Sequence, residues 1–533
     1  MTQAFAYDVL QYPALIFPQM HPSRLAAIGR LHGLASAAPT RCRLLEVGCG
    51  DALQLLTLAQ AYPHAQFVGV DLSHAAIARG EAMRQQLGLA NLQLHAVDIC
   101  QWQDNGLPFD YILAHGFYSW VPPQVQTTLL ALCRQQLAAD GIAYVSYNAF
   151  PGCHLRSILW DMLRQHTAGI DEPAAKIKQA REFLEWLSST VTSRAPYADV
   201  IRHEARDLLN KTELAVFYHD DLADLNLPCS ITEFASRAGS HGLQFLAEAD
   251  IHDSSGASLS EDTAASLAAM ARGDVIRREQ YLDYLKGRRF RQTLLCRAET
   301  NLRRPMDATV LTQLQAVGNL HQDIDFPDSE AGQARPGLLR FCNSSGAAVV
   351  TDSAAVADAL ARIGRAFPAA VAVQALLETE SAAAAPTDPP PASTRHEVDA
   401  AIRHTLLKAF EFGLLQLHCD PPTFATQAGT YPRLNPLSRL QLEQGKDMLA
   451  SLRPSLVSLD NVLGLELVRL LDGQRDRAAL LAALAQRMTA FPVSAEGGQQ
   501  RLQPVHWWTQ QLNDQLEDGL RLIAQMALLE NEG

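Results

Sequence analysis

With 533 residues the chain exceeds what one compact core accommodates, and a prior of roughly 100–200 residues per domain points to two to four domains. Its composition, 48% hydrophobic and 19% charged, is that of an ordinary globular protein and excludes a disordered or fibrous chain. A net charge of −13 opposes nonspecific contact with phosphates, so a nucleic-acid substrate is not expected.

The chain opens on MTQAFAYDVLQYP, which has no basic segment followed by an apolar one, and no later stretch reaches the ~20 apolar residues of a membrane span. A cytoplasmic protein without membrane insertion is therefore expected. Tyr7, Tyr12 and Phe17, followed by His21 and Pro22, read as an ordered arm leading into a helix from about Ser23. Such an arm either covers a ligand cleft or only staples itself to the surface through its rings.

At 43–51, RLLEVGCGD is an apolar strand that runs into Gly48, Cys49 and Gly50, and the helical pattern ALQLLTLAQAY follows at once. The glycines clear side chains from the backbone and the helix start offers unpaired N–H groups, so a polar ligand belongs on this turn. A dinucleotide fingerprint needs a third glycine where this chain has Leu53, and Glu46 beside the turn would repel a pyrophosphate. S-adenosylmethionine, which carries a sulfonium and an amino group, fits better. Cys49 is expected to pack as a small apolar residue. The nine cysteines include no C-x-x-C pair, which argues for reduced thiols and against a disulfide framework or a zinc site, so no metal ligands are assigned.

The second strand, AQFVGVDL, ends in Asp71, at the ~20-residue interval expected of a ribose-binding acid, and Ser73 caps the helix after it. A third strand ends near Asp98, a fourth (FDYILAHG) at His115 and Gly116, and a fifth (GIAYVSYN) at Asn148. Strands alternating with helices predict a Rossmann-like, doubly wound α/β domain whose ligand lies beyond the strands' carboxyl ends.

This succession resembles the class I S-adenosylmethionine-dependent methyltransferases, through E-x-G-C-G at 46–50 and an acid after each of the next two strands. The resemblance implies Glu46, Gly48, Cys49 and Gly50 around the methionine part, Asp71 and Leu72 at the ribose, and Asp98 and Ile99 at the adenine, with His115 also bordering the cofactor. Members often carry a further glycine where this chain has Ala52.

Beyond the fourth strand, HGFYSWVP sets His115, Phe117, Tyr118 and Trp120 where a transferred methyl would emerge, and the fifth strand adds Tyr147 and Asn148. Methyl transfer to nitrogen needs a neutral amine in line with the sulfonium carbon. An aromatic, partly desolvated slot lowers a lysine's pKa, and a histidine can take the proton. His115, Tyr118, Trp120 and Tyr147 are the expected catalytic residues; the competing reading makes these rings core packing.

After NAFPGCHLRSILWDMLRQH the α/β alternation stops, and 172–305 reads as largely helical. YHDDLADLNLP (218–228), EFASRAGSHGLQFLAEA (233–249) and REQYLDYLKGRRFRQTLLCRAE (278–299) resemble the methyltransferase regulatory domain of bacterial, rickettsial-type protein-lysine methyltransferases; so do the YPALIFPQMHP arm and the YNAFPGCHLR turn. That resemblance implies methyl transfer to a lysine of a protein, such as an outer-membrane or surface protein before export. The basic run KGRRFRQ (286–292) is read as a solvated face rather than a contact with acidic partners.

From about 306 a third region follows. TDSAAVADALARIGRAFPAAVAVQALLE reads as one helical unit, SAAAAPTDPPPAST (381–394) as a disordered Pro/Ala-rich loop, and LELVRLLDGQRDRAALLAALAQRM as a helix, a D-G turn and a second helix of winged-helix type. The expected division is 1–165 (methyltransferase domain with its arm), 166–305 (helical regulatory domain) and 306–533 (winged-helix-like α+β region). Three rival functions stay open at this point: a small-molecule methyltransferase, a SAM-binding scaffold without turnover, and a nucleotide-dependent oxidoreductase. A dimer is compatible with the sequence.

Overall fold

The computed structural model describes residues 6–104, 106–192, 196–256, 259–324, 326, 329–330, 333–334, 337–378, 392–494 and 500–531. Seven strands form the central sheet: β1 (Arg43–Val47), β2 (Gln66–Asp71), β3 (Leu92–Ala96), β4 (Phe109–Ala114), β5 (Leu137–Asn148), β6 (Leu243–Glu248) and β7 (Phe290–Arg297). Their order is β3-β2-β1-β4-β5-β7-β6. The first five run parallel, while β7 is antiparallel to both β5 and β6.

Helices α1 (Ala6–Val9) to α5 (Pro123–Gln136) accompany the parallel strands, with α2 at Pro22–Leu31, α3 at Leu53–Ala61 and α4 at His74–Gln86. With elements on both faces, the strands bury side chains in both directions, which is why they read as continuous apolar runs: Leu44, Leu45, Tyr111, Ile112, Leu113 and Ile142 are all fully enclosed. Ser73 caps α4 by accepting from the Ala76 N–H at 3.0 Å. Because β1 pairs with β2 on one side and β4 on the other, the connections leave β1 in opposite directions and open a crevice at the strands' carboxyl ends.

After β5 come α6 (Gly152–His166), α7 (Pro173–Thr190), α8 (Pro196–Leu209), α9 (Leu214–Asp221) and α10 (Ile231–Ser240). This stretch is largely helical, as read from the sequence. Its strands β6 and β7, however, continue the first region's sheet, pairing along β5 from Ala143↔Leu295 to Asn148↔Phe290. The pairing covers an edge of β5 that would otherwise present unpaired N–H and C=O groups.

The basic run at 286–292 is not a solvated face. Arg291 is fully buried among Glu248 (2.6 Å), Asp283 (2.9 Å) and Glu279 (3.1 Å), Arg288 reaches Asp283 at 3.2 Å, and Arg289 pairs with Glu204. A buried guanidinium needs such partners, and the carboxylates of the neighbouring helix and strand supply them.

In the third region the unit read as one helix is two, Ala354–Ala366 and Val373–Glu378, separated at Phe367–Pro368 where the proline cannot donate an N–H. Residues 379–391, most of the Pro/Ala-rich stretch, lie outside the described residues; its last three residues already belong to the helix Ala392–Glu411. Helices Val462–Val468 and Arg477–Met488 flank the Asp472–Gly473 turn, in the winged-helix-like unit that closes the chain. This region fastens onto α2, where Cys419 N–H donates to Ser23 O at 3.0 Å and Ser23 Oγ donates to Cys419 O.

Candidate active site

β1 delivers Glu46 to the crevice mouth, 7% exposed, with no partner for its Oε2 among the described residues. Burial, reinforced by Asp71 and Asp51, pushes this carboxyl up to about 8. The chain then turns through Gly48 (φ +73°) and Gly50 (φ +56°), a region of φ where L side chains are strained. A Cβ at Gly50 would meet nothing within 4 Å, so open space begins directly in front of that backbone. Ala52 also sits at positive φ (+62°), at the position where the resemblance leads one to expect glycine.

Asp71, at the end of β2, accepts from Gly50 N–H and Ser73 N–H, both at 2.8 Å. Burial nonetheless raises its pKa, because these bonds offset the desolvation only in part. Leu72 stands half-exposed beside it, Asp98 accepts from Cys100 N–H at 2.9 Å, and Ile99 is buried. Cys49 packs over Gly69, and burial lifts its thiol well above the ordinary range.

The four residues expected to be catalytic fall in different places. His115 borders the crevice: its Nδ1 lies 2.8 Å from Tyr144 Oη, Phe17 stacks on it at 3.7 Å between centroids, and burial lowers its pKa to about 4, so it is neutral at pH 7. Trp120 is half-buried in the turn after β4. Tyr118 and Tyr147 lie in the core on the opposite side of the sheet. Both pack against Phe234 of α10, the Tyr118 hydroxyl facing Arg237 at 3.5 Å and the Tyr147 hydroxyl Thr293 at 3.2 Å.

The sequence offers the arm as a cover for the crevice but gives segment 218–228 no place there. The arm lies across it: Asp8 hydrogen-bonds Ser73, Tyr7 stacks on His219 at 4.2 Å, His219 Nε2 meets Leu10 O at 2.7 Å, and Phe17 closes over His115. Segment 218–228 completes the roof, with Asn148 Nδ2 donating to Asn226 Oδ1 at 2.9 Å and Leu227 N–H to Ser119 O at 2.8 Å. Tyr12 also meets His219, edge to face at 5.8 Å between ring centroids, although the two are more than two hundred positions apart. The consecutive acids in YHDD were the signal available, without anything local to show what they face.

A buried, unpartnered Glu46 carboxyl oxygen beside glycine backbone and open space suits a ligand bearing a cationic amino group, and the neighbouring acids Asp51 and Asp71 favour a sulfonium over a pyrophosphate. The residues present therefore fit S-adenosylmethionine.

Three family descriptions match the chain: "Methyltransferase domain" over 44–141, "Predicted methyltransferase regulatory domain" over 214–297, and "PKMT, C-terminal winged helix domain" over 430–528. An uncharacterized protein of Rickettsia prowazekii is 31% identical over 238 residues, 44% of this chain and 95% of the relative. The chain belongs to this family of S-adenosylmethionine-dependent methyltransferases with a regulatory domain. A second R. prowazekii protein is 31% identical over 340 residues, 64% of the methyltransferase and 61% of the relative, so the match spans under two thirds of that relative's length. PKMT2 from Rickettsia typhi in complex with AdoHcy shares the fold over 98% of this chain and 100% of its own, with a TM-score of 0.83 at 22% identity. Among the described residues of the methyltransferase, no helix is long and apolar enough to cross a membrane.

Proposed function

We propose that the enzyme transfers the methyl group of S-adenosylmethionine to a lysine side chain of a protein. The observation that carries this reading is a roofed crevice at the β1/β4 switch, with cation-seeking carboxylates on one side and an aromatic and carboxylate rim on the other. The PKMT description of the C-terminal module and the full-length likeness to PKMT2 support it. Glu46 and the Gly48–Gly50 backbone hold the methionine part, Asp71 with Leu72 the ribose, and Asp98 with Ile99 the adenine. When bound, the cofactor supplies an electrophilic methyl carbon on sulfur. The arm excludes water, and Phe17 and neutral His115 form an apolar wall that leaves an entering amine poorly solvated. Tyr118 and Tyr147 support the sheet from behind, which leaves His115 and Trp120 as the catalytic candidates on the acceptor side.

The test is incubation of the purified protein with S-adenosylmethionine labelled in its methyl group and a bacterial lysate separated into soluble and envelope proteins. Labelled protein bands carrying methyl-lysine by mass spectrometry support the reading. Label confined to the low-mass fraction makes it a small-molecule methyltransferase, and calorimetric binding without transfer makes it a scaffold.

A further inference from the structure

Gln54 is the second residue of α3, four positions after Gly50, whose backbone faces open space. It is enclosed, at 3% exposure, yet only half of its amide is used. Gln54 Oε1 accepts from the Phe17 N–H of the arm at 2.9 Å, across 37 positions, whereas Nε2 has no partner among the described residues. The arm fixes which way the amide points, because a backbone N–H needs an acceptor and so claims the oxygen. A buried donor left without a partner is destabilising. The ring of Phe17 lies on His115 at 3.7 Å between centroids, so one line of contacts runs from the first turn of α3 through the arm to the far side of the crevice. The methionine part of the cofactor is a zwitterion. Its ammonium suits Glu46, but its carboxylate enters a neighbourhood of acids, Asp51 and Asp71 with Glu46, that repels it unless a donor receives it. The start of α3 offers its unpaired helix N–H groups, and Gln54 Nε2 is a side-chain donor on that same turn.

We infer that Gln54 is a two-sided positioning residue: its amide nitrogen donates to the carboxylate of bound S-adenosylmethionine while its amide oxygen keeps the arm down, so that cofactor binding and arm closure reinforce each other. This rests on the placement of the methionine part at Glu46 and the glycine turn given above. The two hydrogen bonds use opposite ends of one planar amide, and fixing either end orients the other. By linkage, a ligand that engages Nε2 tightens the arm, and a loosened arm weakens that ligand by the same factor. A ligand without a carboxylate gains nothing from the arrangement.

The test compares calorimetric binding of S-adenosylhomocysteine with that of its decarboxylated analogue, which keeps the ammonium, beside limited proteolysis within residues 7–17. Wild type is expected to prefer S-adenosylhomocysteine by about ten- to a hundredfold, and this ligand but not the analogue should slow cleavage of the arm. Gln54→Met, of similar length but without either polar end, loses the preference, and its arm is cut quickly with or without ligand. Gln54→Glu, measured at about pH 8.5 where an added carboxyl ionises, still accepts from Phe17 N–H but cannot donate. Its free arm should be cut as in wild type, while S-adenosylhomocysteine binds at least about tenfold more weakly and the analogue no worse. Variants that keep the wild-type preference, or that lose both ligands to the same extent, overturn the inference, because a residue that only packs α3 or fastens the arm does not distinguish a carboxylate. Glu46→Gln separates the two readings, since it should weaken both ligands through their shared ammonium. If it weakens neither, the placement of the methionine part fails and the inference falls with it. If it weakens both while the Gln54 variants keep the preference, the placement stands and the role of Gln54 alone is overturned.

Discussion

The two walls of the crevice are built by different rules. The donor wall, from Glu46 to Ser73, is one strand–turn–helix–strand unit. Its key contacts, such as Gly50 N–H to Asp71, join residues 21 positions apart and use backbone as much as side chain. The opposite wall joins Phe17 to His115 and both Tyr7 and Tyr12 to His219, across more than two hundred positions. The first wall is thus a compact, local frame, whereas the second is made of elements that only the finished fold brings together.

If the donor wall works as described, Asp71→Ala has the largest effect. It removes two backbone contacts and the ribose partner together, and cofactor affinity should fall at least about 10²-fold by calorimetry, in keeping with roughly 1.5–3 kcal/mol for each charged hydrogen bond. Retained affinity would mean that this wall is not the cofactor's.

Glu46→Gln should reveal the same wall through pH. Burial raises this carboxyl from 4.5 to about 8, so between those values the folded protein keeps a proton that the unfolded chain releases. Stability of the free enzyme therefore falls as pH rises through that window and is intact below it. The glutamine variant lacks this fall, and its Tm should exceed wild type at pH 8.5, by on the order of 3 kcal/mol in stability, and converge with it near pH 4.5. Its affinity for S-adenosylmethionine should shift the other way, about tenfold weaker at pH 8.

On the roof, Phe17→Ala should loosen the arm. The expected outcome is a KM for S-adenosylmethionine raised several-fold to about tenfold, with faster proteolysis near residues 7–17, while the melting temperature moves little. An unchanged KM would reduce the arm to surface packing. The smallest effect belongs to Ala52→Gly, which relieves a left-handed alanine and should stabilise the protein by roughly 0.5–1 kcal/mol in denaturant unfolding without loss of binding.

These walls also divide what the sequence discloses. The glycine turn, Asp71 and the strand succession were readable because strand periodicity and turn chemistry act over a few residues. Tyr147 was misplaced because adjacent strand residues face opposite sides: Tyr144, three positions earlier, reaches His115, while Tyr147 enters the core with Phe234. Tyr118 turns inward within a short helical turn that aromatic content alone does not orient. The basic run at 286–292 reads as surface until β7 is seen threading Arg291 between three carboxylates.

The sharing of one sheet by two sequence regions has a practical consequence. A fragment stopped near residue 165 would lose β6 and β7 and leave the long β5, from Ala143 to Asn148, as a bare border of unsatisfied amides and carbonyls. Such a border recruits strands from other molecules, so the truncated protein should precipitate or swap partners instead of yielding a small soluble catalyst. Deleting the regulatory segment is therefore no clean way to ask what it regulates, and point changes along the roof are the better instrument.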